Sequence, residues 1–260
     1  MRALAFFIVF LIFPVFVFAQ PQRIISLAPS VTEAIYYLGA IDRLVAVSNY
    51  CRWPEEVINK PKTGGMMNPS YEKILALKPD LVIISKDVTP KEVYKRLIDL
   101  GIKVYVYSPE SLKEMPDELI KLGIAIGKER QARIVAREFR ENIKKIKKPF
   151  NGQRALFVIW AEPIIVAGKS SHINEVMNLL GLKNIAESSS INIEKIIKLN
   201  PEIVFFGAGH KTVYDRLISK LKDTDAVKKG NIYFVSDKIY HLSPRIIEGI
   251  REMAGLKIRK

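Results

Sequence analysis

A short segment of this sequence occurs twice, and this repeat constrains the fold more than any other feature. Residues 72–84 read EKILALKPDLVII, and residues 194–206 read EKIIKLNPEIVFF. A second echo pairs Glu33 and the Leu-Gly pair that follows it at 38–39 with Glu175 and its own Leu-Gly pair at 180–181. Because related units recur in the same order, the sequence predicts two similar lobes that face each other.

The stretches around these repeats predict the same architecture in both halves. Short apolar runs with little alternation, such as 104–107 and 203–206, are separated by helix-like segments, such as 193–199. This pattern is typical of parallel sheets covered on both faces. Between the halves, residues 128–147 contain no Gly or Pro and keep one apolar face, which predicts a single helix of about 20 residues. We therefore expect an α/β fold of two similar lobes with mostly parallel sheets, joined by one long helix.

One local motif marks the start of the first helix. Ser30-Val31-Thr32-Glu33 fits a capping box, in which a Ser side chain and a Glu three residues later satisfy free amide groups at a helix N-terminus. The motif predicts a helix that begins with Ser30 as its capping residue.

The first nineteen residues are typical of a secretory signal. Arg2 is their only charge, an apolar run follows from Leu4 to Phe18, and Val17 and Ala19 place small residues before a cut at Gln20. We expect a periplasmic protein; an uncleaved N-terminal anchor is the alternative. The predicted segments are a signal peptide at 1–19, a first lobe at 20–126, a linking helix at 127–148 and a second lobe at 149–260.

The formal net charge of +14 would suit nucleic acid or an anionic surface. However, the lysines are spread over helix-like stretches that also carry Glu, and the densest cluster, at 144–148, ends the predicted long helix, where cations suit the helix dipole. Export also separates the protein from nucleic acid. We therefore expect no nucleic acid partner, and we expect a monomer.

Motifs spread over the chain after residue 19 carry a family resemblance. They are RIISLAPSVTE at 23–33, VSNYCRWP at 47–54, LKPDLVI at 77–83 and SPRI at 243–246. With these motifs the sequence resembles the periplasmic vitamin B12-binding proteins of ABC importers, a class III solute-binding family. The resemblance implies a rigid linking helix, a cleft between the lobes that binds cobalamin or a related corrinoid, delivery to the importer permease, and no cofactor.

The resemblance gives a role to the glutamate that opens each copy of the repeat. In the vitamin B12-binding family, one glutamate on the rim of each lobe docks onto arginines of the permease. The matching positions are Glu72 and Glu194, which the repeat makes equivalent without help from the family. A glutamate in the first turn of a helix also interacts favourably with the helix dipole, so a structural role is the alternative.

Aromatic and loop residues are the candidates for the ligand cleft. Tyr50 matches a pocket tyrosine of the family, and Trp160 falls where the family has a pocket aromatic. Aromatic faces supply contact area in such clefts. Further candidates are the loop residues Met66, Met67, Tyr240 and His241, together with the cation Arg52. Three scattered histidines and one cysteine predict no metal site.

Two departures from the family leave the ligand open. The family often has a tryptophan before the first docking glutamate, where this chain has Gly64-Gly65-Met66-Met67. A second family tryptophan falls at Ser188-Ser189-Ser190. A corrinoid is the first expectation. A ferric siderophore or haem is the alternative, and Arg52 would supply charge to an anionic siderophore.

Functions of other classes find less support in the sequence. The chain contains no GxSxG, P-loop, HExxH or GxGxxG motif, so we expect no enzyme. A membrane-anchored sensor or interaction domain with the same fold is the other alternative, and such a protein would keep its N-terminal segment.

Overall fold

The first half of the chain folds into a four-stranded parallel sheet with helices on both faces. The computed structural model describes residues 20–207 and 211–259, and the predicted signal peptide lies outside them. The elements of this half are β1 (Ile24–Ser26), α1 (Pro29–Tyr37), β2 (Leu44–Val47), α2 (Tyr71–Ala76), β3 (Leu81–Ser85), α3 (Lys91–Asp99) and β4 (Val104–Tyr107). The strands of the sheet have the order β2-β1-β3-β4.

Two packed helices follow β4: α4 (Met115–Ala125), and α5 (Glu129–Lys145), which leads into the second half. The prediction of one long helix is confirmed in α5, which has 17 residues and spans about 25 Å at 1.5 Å per residue. The helices approach closely at Gly123, where a Cβ would stand 2.3 Å from that of Ala132. The sequence reading assigned no helix to α4. The limits of the lobes at 20–126 and 149–260 stay predictions.

The second half repeats the design around a second, mostly parallel sheet. The elements of this half are β5 (Arg154–Ala161), β6 (Ile164–Val166), α6 (His172–Leu179), β7 (Lys183–Asn184), α7 (Ile193–Leu199), β8 (Ile203–Phe206), α8 (Lys211–Lys220), α9 (Asp225–Lys228), β9 (Ile232–Phe234) and α10 (Ile246–Ala254). The strand order is β6-β5-β8-β9, and β7 also pairs with β5. Among the strand pairs of the described residues, only β5–β6 is antiparallel.

The two copies of the sequence repeat adopt the same local structure. Side chains of Ser70 and Asn192 cap α2 and α7 by accepting a hydrogen bond from a backbone amide of the first turn. After each helix, the chain turns through a left-handed residue, Lys78 at φ 46° and Asn200 at φ 43°. Left-handed backbone is costly for a residue with a Cβ. Its recurrence at equivalent positions therefore makes this turn part of the repeated unit.

An arginine outside the repeat closes this turn in each half. The Arg23 guanidinium, just before β1, donates hydrogen bonds to the carbonyl oxygens of Leu77 at 2.6 Å and Lys78 at 3.1 Å. The Arg154 guanidinium, at the start of β5, donates to the carbonyl oxygen of Asn200 at 3.1 Å. Cationic donors stabilise the free carbonyls at a helix C-terminus. The similarity of the halves thus extends to their first strands.

The start of α1 differs from the prediction. The helix begins at Pro29 and no side chain caps it. Instead, Ser30 is buried and donates a hydrogen bond to Oγ of Ser85 at 3.3 Å, and Glu33 is buried as well. The capping-box interpretation is therefore wrong, because these side chains make tertiary contacts rather than local ones.

The inner faces of the two sheets share one continuous apolar core. It contains Ile83 of β3, Phe139 of α5, Phe157 of β5 and Ile246 of α10, all buried. Two smaller clusters cover the outer faces of the first and second sheets. Moving the lobes apart would expose apolar surface at a cost of about 25 cal/mol per Å². Within the described residues, no helix is long and apolar enough to cross a membrane.

Candidate ligand cleft between the lobes

The carboxyl ends of the parallel strands define where a ligand can bind. Ligands of open α/β sheets lie outside these ends. In the first sheet, Tyr50 follows β2 and Asp87 follows β3. In the second sheet, Trp160 lies near the end of β5 and Gly207 directly follows β8. The candidate site is therefore built from these two edges and from the chain segments that connect them.

A buried ion pair connects the two halves at this level. Glu33 of α1 is 1% exposed, and Arg245, just before α10, is 7% exposed. Arg245 Nη1 donates to Oε1 of Glu33 at 3.1 Å, and Nδ1 of His241 lies 3.0 Å from the same oxygen. The Ser243 hydroxyl donates to Oε2 of Glu33. We call these four residues the Glu33 clasp; three donors from one loop of the second half converge on one carboxylate of the first.

Further contacts from both halves hold the same loop in place. The Arg245 guanidinium lies 4.7 Å from the ring centre of Trp53 and within 3.4 Å of Oδ1 of Asp237. The Tyr107 hydroxyl, at the end of β4, donates to the carbonyl oxygen of Leu242 at 3.1 Å. Burial raises the pKa of Tyr107 well above its ordinary value, so this hydroxyl keeps its proton and donates. The loop at 241–245 is therefore held from several sides.

A second, reciprocal contact runs in the opposite direction. Glu175 of α6 accepts a hydrogen bond on Oε2 from the backbone amide of Leu112 at 2.8 Å. Glu175 is the counterpart of Glu33 in the sequence echo. Each lobe therefore uses the equivalent glutamate to hold the loop that follows the last strand of the other lobe. We call the second contact the Glu175 clasp.

One wall of the candidate cleft comes from the first sheet. Tyr50 is 55% exposed, and a Cβ at Gly65 would stand 3.7 Å from its ring carbon Cε2, so the ring lies against this loop. Met66 packs partly against the central core, whereas Met67 is 70% exposed. Arg52, two residues after Tyr50 in the chain, is exposed. The structure thus brings Tyr50 close to the loop that carries the two methionines.

The second sheet contributes the opposite candidate aromatic. Trp160 is 45% exposed, and its indole Nε1 donates to the carbonyl oxygen of Glu162 at 2.7 Å. This bond satisfies the indole donor and fixes the ring while leaving its surface open. Tyr50 follows a strand of the first sheet and Trp160 lies in a strand of the second, so a ligand that contacted both would bridge the two lobes.

Tyr240 and His241 lie where the two halves meet. Tyr240 packs edge-on against Phe157, with ring centres 6.1 Å apart. Its hydroxyl occupies the space beside Gly207, where a Cβ would stand 1.2 Å from the phenolic oxygen. His241 is half-buried, and its Nδ1 is engaged by Glu33, which leaves Nε2 as the ring nitrogen that can face a ligand.

The two predicted docking residues occupy equivalent exposed positions. Glu72 and Glu194 lie in the first turns of α2 and α7, and neither forms an ion pair in the described part of the chain. A helix that leads into a parallel strand runs antiparallel to it, so its first turn lies at the carboxyl edge of the sheet. The two carboxylates therefore lie at the same strand edges as the cleft candidates, one on each lobe.

Metal-ligand side chains are dispersed. Among residues 20–207 and 211–259, no three His, Cys, Asp or Glu side chains come together as a metal site. Cys51 is buried against the hydroxyls of Ser48 and Thr32, and burial raises the pKa of its thiol. Burial lowers the pKa of His172, whose Nε2 lies 3.1 Å from the carbonyl oxygen of Ile239. These groups are used for packing and internal hydrogen bonds.

Sequence reasoning did not find the Glu33 clasp. The motifs SVTE and SPRI were both visible, yet they lie 210 residues apart and carry no local signal that joins them. The hint in the sequence was Glu33, an acidic residue at the start of an otherwise uncharged helix. A carboxylate buried there needs a partner, because an unpaired buried charge is too costly to keep.

Two mostly parallel α/β lobes, joined by one helix and with exposed aromatics at their strand edges, define a two-lobed solute-binding protein. The chain matches the periplasmic binding protein family over residues 24–238 and belongs to that family. Proteins of this kind bind a small ligand and work with a membrane permease; they are neither enzymes nor users of a cofactor, which confirms both sequence predictions.

Two curated relatives cover most of the chain. An uncharacterised ABC transporter substrate-binding lipoprotein of Bacillus subtilis is 31% identical over 250 residues, which are 90% of this chain and 79% of the relative. The vitamin B12-binding protein of Vibrio parahaemolyticus is 27% identical over 242 residues, which are 89% of this chain and 88% of the relative.

Solved structures with the same fold bind different ligands. The periplasmic vitamin B12-binding protein of Vibrio cholerae has a TM-score of 0.78 and 26% identity, with 90% of this chain and 96% of that chain covered. A possible iron-binding protein of Staphylococcus epidermidis has a TM-score of 0.77 and 30% identity, covering 91% and 98%. A periplasmic haem-binding protein of Pseudomonas aeruginosa has a TM-score of 0.82 and 24% identity, covering 90% and 91%, and shows the fold alone.

Proposed function

We propose that this protein is an exported, monomeric solute-binding protein that captures cobalamin or a related corrinoid between its lobes and delivers it to an ABC importer. The proposal rests mainly on two half-exposed aromatic residues, Tyr50 and Trp160, which lie at the strand ends of different lobes. The vitamin B12-binding relatives support the choice of ligand class. Cleavage after Ala19, a first lobe at 20–126, a linking helix at 127–148 and a second lobe at 149–260 belong to the same proposal.

The character of the cleft candidates suits a large, weakly charged macrocycle. Tyr50, Met67 and Trp160 offer exposed aromatic and thioether surface, and such groups give contact area with few charges to desolvate. Tyr240 and His241 would lie beneath the ligand, where the lobes meet. Arg52 would contact a polar group on the rim.

A preformed cleft follows from the contacts between the lobes. The shared core and the two clasps oppose separation of the halves, so capture should need little rearrangement. Release would then require the permease to force the lobes apart. Glu72 and Glu194 would form charge-assisted contacts with permease arginines, and these contacts would fix the register of docking.

Calorimetric titration of the chain from Gln20 onward tests the ligand. We expect one-to-one binding of cyanocobalamin or cobinamide. The affinity should fall at least about tenfold in Tyr50→Ala and in Trp160→Ala. Tyr94→Ala is the matched control, because Tyr94 is similarly exposed but lies on α3, over the outer face of the first sheet. Corrinoid affinity that is the same in all three variants would contradict the proposed cleft.

Haem or a ferric siderophore is the second candidate ligand. Arg52 is exposed two residues after Tyr50 in the chain, and Nε2 of His241 and the Tyr50 phenol are the groups that could approach a bound iron. Haemin and a ferric siderophore therefore enter the same titration. If either one binds and no corrinoid does, the transport role stands and the ligand changes. The affinities of Arg52→Ala and His241→Ala for that ligand would then be compared with the affinity of the unmodified chain.

Docking is tested separately in membranes that contain the cognate permease. The double variant Glu72→Ala/Glu194→Ala should bind ligand normally but lose permease binding. Glu138→Ala/Glu141→Ala changes the net charge equally at exposed sites on α5 and should dock normally. Equal permease binding by the two double variants would contradict a docking role for Glu72 and Glu194.

A further inference from the structure

A groove separate from the candidate cleft runs along the carboxyl-terminal half of α5. It has a volume of about 630 Å³, within the range typical of small-molecule sites. Its apolar surface comes from both lobes and from the linking helix: Leu112, Pro116, Phe139, Ile143 and Leu179. None of the cleft or docking candidates lines it.

The rim of this groove is cationic. Four exposed cationic side chains line it: Lys113, Arg140, Lys144 and Lys148. Arg140 pairs with Asp117 at 2.5 Å, whereas the three lysines form no ion pair with any residue that the structure describes. Three unpaired cations around one apolar groove attract an anionic group.

The carboxylate in the lining is already engaged. Glu175 borders the groove, and its Oε2 accepts the amide hydrogen of Leu112 in the Glu175 clasp. The remaining polar side chain is the neutral amide of Asn178. The lining therefore carries four cations against one carboxylate, and its floor is apolar.

We propose that this groove binds a long-chain fatty carboxylate. The acyl chain would lie on Phe139, Ile143 and Leu179, and the carboxylate would be placed among the rim lysines. A single acyl chain fits a concave groove of this volume, and the cations complement its charge.

The amino-terminal segment of this same chain does not suit the groove. Its only charge is Arg2, which the rim lysines would repel.

Fluorescence titration with cis-parinarate, followed by displacement with octanoate, decanoate and dodecanoate, tests the proposal on the chain from Gln20 onward. Each additional buried methylene should strengthen binding about fourfold. Lys144→Glu/Lys148→Glu should raise Kd at least about tenfold. The matched control is Lys145→Glu/Lys147→Glu, which makes the same charge change at exposed lysines outside the groove and should stay within about twofold of the unmodified chain.

The absence of parinarate binding would overturn the proposal. So would equal losses in the two lysine double variants, or displacement by dodecanol as effective as displacement by dodecanoate. An Ile143→Trp variant fills the groove without changing charge and should also abolish binding; retained binding would count against this location. Tyr50→Ala and Trp160→Ala should leave carboxylate binding intact, so failure of the corrinoid proposal and failure of this one are distinguishable.

Discussion

Replacing Glu33 by Gln should destabilise this protein far more than its small change in volume suggests. The substitution keeps the size of the side chain but removes the negative charge that Arg245, His241 and Ser243 approach. Arg245 is 7% exposed and would keep its charge, with only Asp237 at 3.4 Å and the face of Trp53 as compensation. Removing one partner of a buried ion pair costs about 3–5 kcal/mol.

We therefore expect the free energy of unfolding to fall by about 3–4 kcal/mol in Glu33→Gln, a large part of the total for a typical domain. Urea unfolding of the chain from Gln20 onward, followed by circular dichroism at pH 7.5, measures this loss. The control is Glu129→Gln, which breaks the exposed pair with Arg133 and should cost less than about 0.5 kcal/mol.

A second substitution separates the ion pair from simple packing. Glu33→Leu/Arg245→Met replaces both charges by apolar groups and should recover at least about half of the loss, because no uncompensated charge stays buried. A loss below about 1 kcal/mol in Glu33→Gln would refute the reasoning. So would a double variant that is less stable than Glu33→Gln.

Three further predictions follow from local features. Burial lowers the pKa of His172, so the folded state disfavours protonation of this side chain. The contribution of His172 to the free energy of unfolding is therefore fully present above the unfolded pKa, near 6.5, and decreases as the pH falls below that value. The difference in unfolding free energy between the unmodified chain and His172→Asn should therefore shrink between pH 7.5 and pH 5 in urea titrations, and an unchanged difference would contradict this. Gly207→Ala places a Cβ on the Tyr240 hydroxyl and should cost about 1–3 kcal/mol, but almost nothing in a Tyr240→Ala background; equal costs in both backgrounds would exclude the contact. Lys78→Gly removes the Cβ from a residue in the left-handed region, so it should relieve backbone strain and raise the thermal midpoint. The free energy of unfolding should rise by about 0.5–1 kcal/mol, and a lower midpoint would show that the turn is not strained.

Much of the fold could be predicted because its signals are local. The strands at 104–107 and 203–206 and the helix at 193–199 lie where the sequence places them, since each combines an apolar run with clear breakers. The repeat also predicted two related units, and even the left-handed turn recurs in both. The short strands β6 and β7 escaped prediction because so few residues carry no periodic signal.

The contacts between the halves could not be predicted in the same way. Ser30 and Glu33 have the spacing of a capping box, yet their side chains face Ser85 and Arg245. Local spacing cannot distinguish these uses, because the partners lie far away in the chain. The positions of Tyr50 and Trp160 at strand ends were predictable, whereas the cationic groove beside α5 depends on three elements that meet only in the folded protein.

The reciprocal clasps bear on how this protein is assembled and engineered. Each lobe supplies the carboxylate that the other lobe needs, and the core between them is shared. A fragment that ended within α5 would lack the donors that Glu33 binds and would expose its side of the shared core to water. We therefore expect one cooperative unfolding transition for the whole molecule. A hybrid that takes one lobe from a relative should fold only when the loop that meets each glutamate comes from the same protein as that glutamate.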